Sequence, residues 1–234
     1  MIYYDHLPLD EDILAALKEL SINYVFQPIF CADKKTIFAH EALMRPVEMN
    51  VTELIAKYEA EKKLHVLEVA TFFGAMQAYQ MRGYTGRVSI NSFPSEFFTE
   101  EEGKCFIDFY GDIQGLTIIE ILEYPYTVMK ALDEKRGASE RHDLRIALDD
   151  FGAGINNMEM VELYSPHIVK LDRELIAFID RDKFKQEFVK QHVEEFHRRK
   201  MQVVAEGIER EEEFDYLRDL GVDYFQGYYL ARPA

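Results

Sequence analysis

The chain has 234 residues, 48% of them hydrophobic, and a formal net charge of −16 at pH 7. This length supports one large hydrophobic core, in a single α/β barrel or in two small domains, and we favour one domain over residues 1–234. The charge excludes a non-specific nucleic-acid-binding protein and a protein that docks on anionic lipid, because both need a surplus of Lys and Arg.

Strand-like and helix-like segments alternate along the chain. The first predicted strand covers residues 23–30, the second ends at Glu41, and residues 51–80 have the composition and spacing of helix. Later strands are predicted to end at Asn91, Glu120, Asp149, Lys170, Glu206 and near Gln226. The stretches between them, above all 173–200 and 208–220, are charged and amphipathic in the manner of surface helices.

This alternation decides between two architectures. A strand followed by a helix, repeated about eight times in a chain near 250 residues, predicts a TIM-like (β/α)8 barrel, in which we allow for an antiparallel first strand. The competing doubly wound sheet would gather its ligands at one switch point. Here polar residues follow six or seven different strands, which favours the barrel, whose active site lies at the carboxyl ends of the strands.

Acidic or amide residues end most of the apolar runs. They are Glu41, Asn91, Glu120, Asp149, Asp150 and Glu206. Taken alone, each is more often a solvated strand end, a helix cap or a turn former. Brought together, five carboxylates repel one another unless cations lie among them, and carboxylate and amide oxygens are the ligands that hard divalent cations prefer. The repetition therefore predicts a metal centre built from strand ends.

The cellular compartment is predicted from three sequence features that the chain lacks. Cys31 and Cys105 are too few for a disulfide framework and lack the paired spacing of a zinc site. Residues 1–6 lack the basic segment and following apolar run of a signal peptide. No run approaches the roughly 18 apolar residues of a membrane-spanning helix. We expect a cytoplasmic protein, or a soluble domain of a larger one, without membrane insertion.

Seven short motifs follow one another in a fixed order. They are Glu41-Ala42-Leu43-Met44-Arg45, Asn91, Glu120, Asp149-Asp150-Phe151-Gly152, Lys170-Leu171-Asp172, Glu206-Gly207-Ile208-Glu209 and Gln226-Gly227. A single tripeptide such as Glu-Ala-Leu carries almost no information, but seven motifs in order at predicted strand ends are specific. The set resembles that of EAL-domain phosphodiesterases, and the resemblance extends from about Val25 to Pro233.

The resemblance implies hydrolysis of cyclic di-GMP, a bacterial second messenger, to linear pGpG with two Mg²⁺ or Mn²⁺ ions. Water attack on a phosphodiester needs a deprotonated nucleophile and neutralised phosphate charge, which two cations roughly 3.5–4 Å apart supply. By similarity, the ligands of one ion are Glu41, Asn91, Glu120 and Asp149. Asp149 would then bridge to a second ion held by Asp150 and Glu206.

The resemblance also implies roles for residues around the ions. Lys170 would orient the attacking water or stabilise phosphate charge, and Glu206 is the candidate general base. Arg45 would contact a substrate phosphate through its fork of donors. Gln27 and Gln226 would provide hydrogen bonds near the ligand.

Three further residues are expected to support the site. Glu123 resembles the glutamate that anchors the loop after the paired aspartates, while Asp172 and Glu209 would help to position the site. In the family this loop couples the metal site to a dimer interface, so the resemblance implies a homodimer.

The chain departs from the family pattern without losing a predicted metal ligand. The departures are His40, Pro46, Leu122 and Ile155-Asn156-Asn157. Two alternatives to an enzyme stay open, namely an inactive cyclic di-GMP receptor and a protein-interaction module on the same barrel. The complete ligand set favours the enzyme, because a receptor without turnover has no need for Lys170 and both aspartates.

Overall fold

The computed structural model describes residues 9–111 and 115–234, so the predictions for residues 1–6 and for a single domain over 1–234 extend beyond the described residues. The strands are β1 (Ile22–Cys31), β2 (Ile37–Pro46), β3 (Arg87–Ser92), β4 (Thr117–Ile121), β5 (Arg145–Phe151), β6 (Ile168–Leu171), β7 (Gln202–Ala205) and β8 (Tyr224–Phe225). The helices are α1 (Glu11–Glu19), α2 (Val51–Ala60), α3 (Leu64–Met81), α4 (Glu100–Tyr110), α5 (Met129–His142), α6 (Met158–Tyr164), α7 (Arg173–Ile176), α8 (Lys183–Arg198) and α9 (Glu211–Leu220).

The eight strands close into a barrel in chain order. Strand β1 runs antiparallel to both of its neighbours, β2 and β8, whereas the other neighbouring pairs are parallel. The predicted (β/α)8 barrel with an antiparallel first strand is therefore confirmed. Closure of the sheet excludes the doubly wound alternative.

Two layers of side chains fill the barrel. The apolar cluster contains Phe38 and six residues at corresponding strand positions, namely Ile29, Ala39, Ile118, Ala147, Ile168 and Val204. Because successive side chains of a strand alternate between faces, the residue two positions along points the same way. These next positions hold Gln27, Glu41, Glu120, Asp149, Lys170 and Glu206. A polar layer thus lies directly on an apolar one, at the carboxyl ends of the parallel strands.

Two predicted helical stretches are each divided into two helices. Stretch 51–80 breaks at Lys62, whose φ of 58° is left-handed, and Lys63 N–H closes α2 by donating to the Tyr58 carbonyl. Stretch 173–200 breaks before Asp182, which begins α8 by accepting the N–H of Phe184. Among the described residues, no helix is long and apolar enough to cross a membrane.

A buried ion pair joins the outer helices to the loop after β3. Glu68 of α3 and Lys135 of α5 are 3.3 Å apart and 2% and 5% exposed. Glu68 also accepts the Ser92 hydroxyl and, at 3.0 Å, the Phe93 N–H, while Lys135 donates to the Glu96 carbonyl. The pair therefore fixes the chain directly after Asn91.

Removing one member of this pair should be costly. We expect Glu68→Met to lower the free energy of unfolding by about 3–5 kcal/mol, because it leaves the Lys135 ammonium buried and unpaired. The double variant Glu68→Met/Lys135→Met should recover part of that loss, as no charge is left without a partner. Urea denaturation measures both.

The exposed pair of Lys63 and Asp12, 3.0 Å apart, provides the control. Asp12→Asn should change the free energy of unfolding by less than about 1 kcal/mol. If the two charges are coupled, the double variant should lose less free energy of unfolding than the sum of the losses of Glu68→Met and Lys135→Met. Additive losses would contradict coupling between the two buried charges.

Candidate active site at the carboxyl ends of the strands

Lys170 lies at the centre of the polar layer, with 2% of its side chain exposed. Its Nζ contacts Glu120 Oε1 and lies 2.9 Å from Asp149 Oδ1 and 2.7 Å from Glu206 Oε1. Glu41 Oε2 is 3.8 Å away. Carboxylates from β2, β4, β5 and the end of β7 thus surround one ammonium group, which is too little positive charge to neutralise them all.

The pKa shifts reflect this imbalance. Burial by itself lowers the pKa of Lys170, but the four surrounding carboxylates raise that pKa well above its ordinary value. Burial raises the pKa of Glu120 and Glu206 well above the usual range; Lys170 opposes the rise and the neighbouring carboxylates add to it. These shifts favour the charged form of Lys170 and the protonated forms of Glu120 and Glu206, so a cation bound here would compete with protons.

A distortion of β5 brings the adjacent aspartates to one place. In a regular strand Asp149 and Asp150 would point to opposite faces. The β5–β6 register shifts between Leu148 and Phe151, and Asp150 has a left-handed φ of 49°. Burial raises the pKa of Asp150 to about 7, and the Asp149 carboxylate adds to the shift.

Three of these carboxyl groups fit a divalent cation. Asp149, Asp150 and Glu206 each offer an oxygen, and the three oxygens lie within 4.8 Å of one another. Carboxylate oxygens are hard donors of the kind that Mg²⁺ and Mn²⁺ take. Within 9–111 and 115–234, no other trio of His, Cys, Asp or Glu offers such a cluster.

The other predicted metal ligands lie in the same layer. Glu41 and Glu120 face Lys170, and Ser89 Oγ donates to Glu120 Oε2. Asn91, at the end of β3, is the register partner of Glu120. Ser89 was not predicted as a site residue, although its position two residues before Asn91 places both on the same face of β3.

A chain of amide groups borders the carboxylates. Gln226 Nε2 donates to Glu41 Oε2 at 2.6 Å and to Gln27 Oε1 at 3.3 Å. Gln27 Nε2 in turn donates to the Ala231 carbonyl at 3.1 Å. Gln226 Oε1 is buried and has no hydrogen-bond partner among the described residues, as expected where water or a ligand completes the network.

The loop after the aspartates is held from two sides. Ile155 N–H donates to Glu123 Oε1 at 2.6 Å, and a Cβ on Gly154 would lie 1.7 Å from that oxygen. From the other side, Asn156 Nδ2 donates to the Asp149 carbonyl at 2.7 Å. Asn156, at which the chain departs from the family pattern, therefore fixes the backbone of a predicted metal ligand.

The remaining predicted site residues lie outside the carboxylate cluster. Arg45 is exposed, and its guanidinium donates to the Met44 carbonyl at 2.8 Å. Asp172 caps α7 by accepting the Glu174 N–H at 2.6 Å. Glu209 is paired with Arg173 at 2.8 Å. The functional roles of these residues stay predictions.

Comparison with known proteins identifies the family. The EAL domain family model matches residues 10–233. The chain is 32% identical over 222 residues to the cyclic di-GMP phosphodiesterase TpdA of Vibrio parahaemolyticus, covering 92% of this chain and 37% of TpdA. It is 23% identical over 250 residues to the cyclic di-GMP phosphodiesterase PdeL of Escherichia coli, covering 99% of this chain and 68% of PdeL. The chain thus spans little more than a third of TpdA.

Solved structures show the same fold. A standalone EAL protein from Vibrio cholerae, bound to c-di-GMP, superposes with a TM-score of 0.81 at 26% identity, covering 92% of this chain and 93% of that one. Klebsiella pneumoniae BlrP1, in a complex with calcium and c-di-GMP, gives a TM-score of 0.76 at 26% identity, covering 91% of this chain and 56% of BlrP1. Together with the match over residues 10–233, these likenesses show that the chain belongs to the EAL domain family.

Proposed function

We propose that this chain hydrolyses cyclic di-GMP to linear pGpG in a reaction that depends on divalent metal ions. The observation that carries the proposal is the convergence of Asp149, Asp150 and Glu206 beside the buried Lys170. Relatives that share the family, TpdA and PdeL, are named cyclic di-GMP phosphodiesterases. The complete carboxylate set favours catalysis over a receptor or interaction module.

The proposed cofactor is a pair of Mg²⁺ or Mn²⁺ ions. Asp149, Asp150 and Glu206 would hold one ion. Glu41, Asn91 and Glu120 would hold the other, and Asp149 would also be a ligand of this second ion. Ions bound there neutralise phosphate charge and make water acidic enough to be deprotonated at neutral pH. BlrP1 forms complexes with calcium and cyclic di-GMP and with manganese and cyclic di-GMP, which supports a divalent metal cofactor.

Lys170 and Glu206 would have different roles in the reaction: Lys170 would stabilise negative charge on the phosphate, and Glu206 would accept a proton. Because the pKa of Lys170 lies well above its ordinary value, the ammonium keeps its proton and serves as a fixed positive charge near the phosphate. Glu206 is 15% exposed, so water can reach its carboxylate. Its pKa is raised by burial, which suits a group that accepts the proton of the attacking water.

Three residues are proposed to bind the substrate. Arg45 is exposed at the end of β2, where its guanidinium can make paired hydrogen bonds to a phosphate. Gln27 and Gln226 border the carboxylates, and the unpartnered Gln226 Oε1 can accept a hydrogen bond within the occupied site. We further propose one domain, a homodimer and a cytoplasmic location, each of which stays a prediction.

Chromatography of the products tests the activity. Incubation of the protein with cyclic di-GMP and Mg²⁺ or Mn²⁺ should yield pGpG, and EDTA should abolish the product. Glu206→Gln should lower the rate about 10²–10⁴-fold, as expected when a general base is lost. Glu194→Gln, an exposed acidic change on α8, should leave the rate unchanged.

Product chromatography, with a cyclic di-GMP binding assay beside it, separates three outcomes. Absence of pGpG with either metal would contradict the enzyme, and binding without turnover would then favour the receptor. Absence of both turnover and binding would favour the interaction module. Full activity of Glu206→Gln would remove the general base from the mechanism while leaving the enzyme intact.

The raised pKa of Asp150 predicts how metal-free stability depends on pH. A carboxyl group with a folded pKa of about 7 stabilises the fold below the unfolded value of 3.8 and loses that contribution as pH rises through 7. In EDTA, the melting temperature of the wild type should therefore fall between pH 6 and pH 8 relative to Asp150→Asn. Because metal competes with protons, Mn²⁺ should raise the melting temperature more at pH 8 than at pH 6.

Thermal denaturation of both proteins across this pH range provides the measurement. Subtraction of the Asp150→Asn curve removes the contribution of groups that titrate elsewhere in the chain. A wild-type minus variant difference that stays constant or grows with pH would contradict the raised pKa.

A further inference from the structure

We infer that Arg173 is a positioning residue: it holds Glu206 in place by binding the loop of residues 206–209. The inference rests on the proposed function, because it assigns a support to the proposed general base. Arg173 is the first residue of α7, three positions after Lys170, so it reaches from the end of β6 to the end of β7. No role in the site was assigned to it from the sequence.

The Arg173 guanidinium binds the loop of residues 206–209 at two points. Arg173 Nη1 donates to the Gly207 carbonyl, and Nη2 lies 2.8 Å from Glu209 Oε2. Glu209 is thereby connected, through the arginine, to the Gly207–Ile208 peptide. A planar fork that bonds a carbonyl and a carboxylate at once sets both distance and orientation.

The stem of the arginine lies against the backbone of Gly207. A Cβ at position 207 would be 2.8 Å from Arg173 Cβ and 3.0 Å from Arg173 Cγ, closer than such atoms normally approach. Gly207 also has a left-handed φ of 64°, which glycine adopts without strain. The glycine therefore allows the arginine to cover the peptide next to Glu206.

The backbone of the Glu206 loop is tied to neighbouring strands on either side of Gly207. Residues 206–209 belong to no helix or strand. Glu206 N–H donates to the Leu171 carbonyl at 3.1 Å, and Ile208 N–H donates to the Gln226 carbonyl at 3.0 Å. Arg173 bonds the carbonyl of the Gly207–Ile208 peptide, whose N–H bonds Gln226, so both polar groups of this peptide are held. The loop then has less freedom to turn the Glu206 carboxylate away from the metal site.

The exposure of the pair distinguishes a local role from a role in global stability. Arg173 and Glu209 are 38% and 49% exposed, and ion pairs this open to water contribute little to the stability of a fold. A side chain that orients a metal ligand or general base has a far larger effect on function, because small displacements at a reacting centre are costly. Loss of the pair should therefore affect the site and spare the fold.

The test compares Arg173→Gln with Arg218→Gln. Arg218 is 39% exposed and pairs with Asp215 at 2.7 Å on α9, so it matches Arg173 in exposure and partner type. Arg173→Gln should lower kcat about 10–100-fold, the range for a lost outer support of a metal ligand, with KM for cyclic di-GMP within about twofold. Arg173→Lys, which keeps the charge but not the fork, should retain part of the rate, and Arg218→Gln all of it.

Two further readouts separate positioning from folding. The melting temperature of Arg173→Gln should lie within about 4 °C of the wild type, as for the loss of an exposed ion pair. The double variant Arg173→Gln/Glu209→Gln should have a kcat close to that of Arg173→Gln, because both changes remove the same contact. An unchanged kcat, a raised KM with unchanged kcat, or a fall in kcat that accompanies unfolding would each overturn the inference.

Calorimetry of Mn²⁺ binding without substrate tests the positioning role of Arg173 independently of the proposed activity. Arg173→Gln should bind Mn²⁺ about tenfold more weakly than Arg218→Gln, since Glu206 is among the proposed ligands. If the wild type shows no turnover but this difference appears, the proposed activity fails and the positioning role stands. If the wild type is active and neither metal affinity nor kcat changes, the positioning role alone fails.

Discussion

The mutual repulsion of carboxylates at the mouth of the barrel is the constraint on which the rest of the structure depends. Glu41, Glu120, Asp149 and Glu206 converge on a single ammonium group, that of Lys170. Burial and the neighbouring carboxylates raise the pKa values of Glu120 and Glu206, so protons or cations can offset the repulsion in this layer. The proposed metal ions would supply the positive charge that a single ammonium group lacks.

The barrel makes this unfavourable arrangement possible by supporting it from below and from the sides. The apolar layer of Ile118, Ala147, Ile168 and their neighbours fixes the strands whose next inward positions are polar. The buried pair of Glu68 and Lys135 fixes the chain after β3, and Asn156 fixes the Asp149 carbonyl. Stability comes from hydrophobic burial outside the site, and the site uses that stability to hold groups that repel one another.

Periodicity along the chain made the barrel and most of the carboxylate cluster predictable from the sequence. Strand ends with polar residues were recognisable because the carboxyl ends of parallel strands converge and alternation sets which side chains face inward. Contacts between segments distant along the chain do not follow from periodicity, and the contact of Glu123 with Ile155 was expected only through the family resemblance. Arg173 reaching Gly207 and Asn156 reaching the Asp149 carbonyl depend on loop conformations that no local pattern specifies. The convergence of Asp149 and Asp150 likewise depends on a register shift and a left-handed φ in β5.

Anomalous diffraction from crystals grown with saturating Mn²⁺ tests the central claim most directly, because it locates the metal without assuming an activity. The account predicts two manganese peaks at the carboxyl ends of the strands, one among Asp149, Asp150 and Glu206 and the other beside Glu41, Asn91 and Glu120. Crystals of Asp150→Asn should lose or weaken the first peak. Absence of any manganese peak in the polar layer at saturating metal would contradict the account.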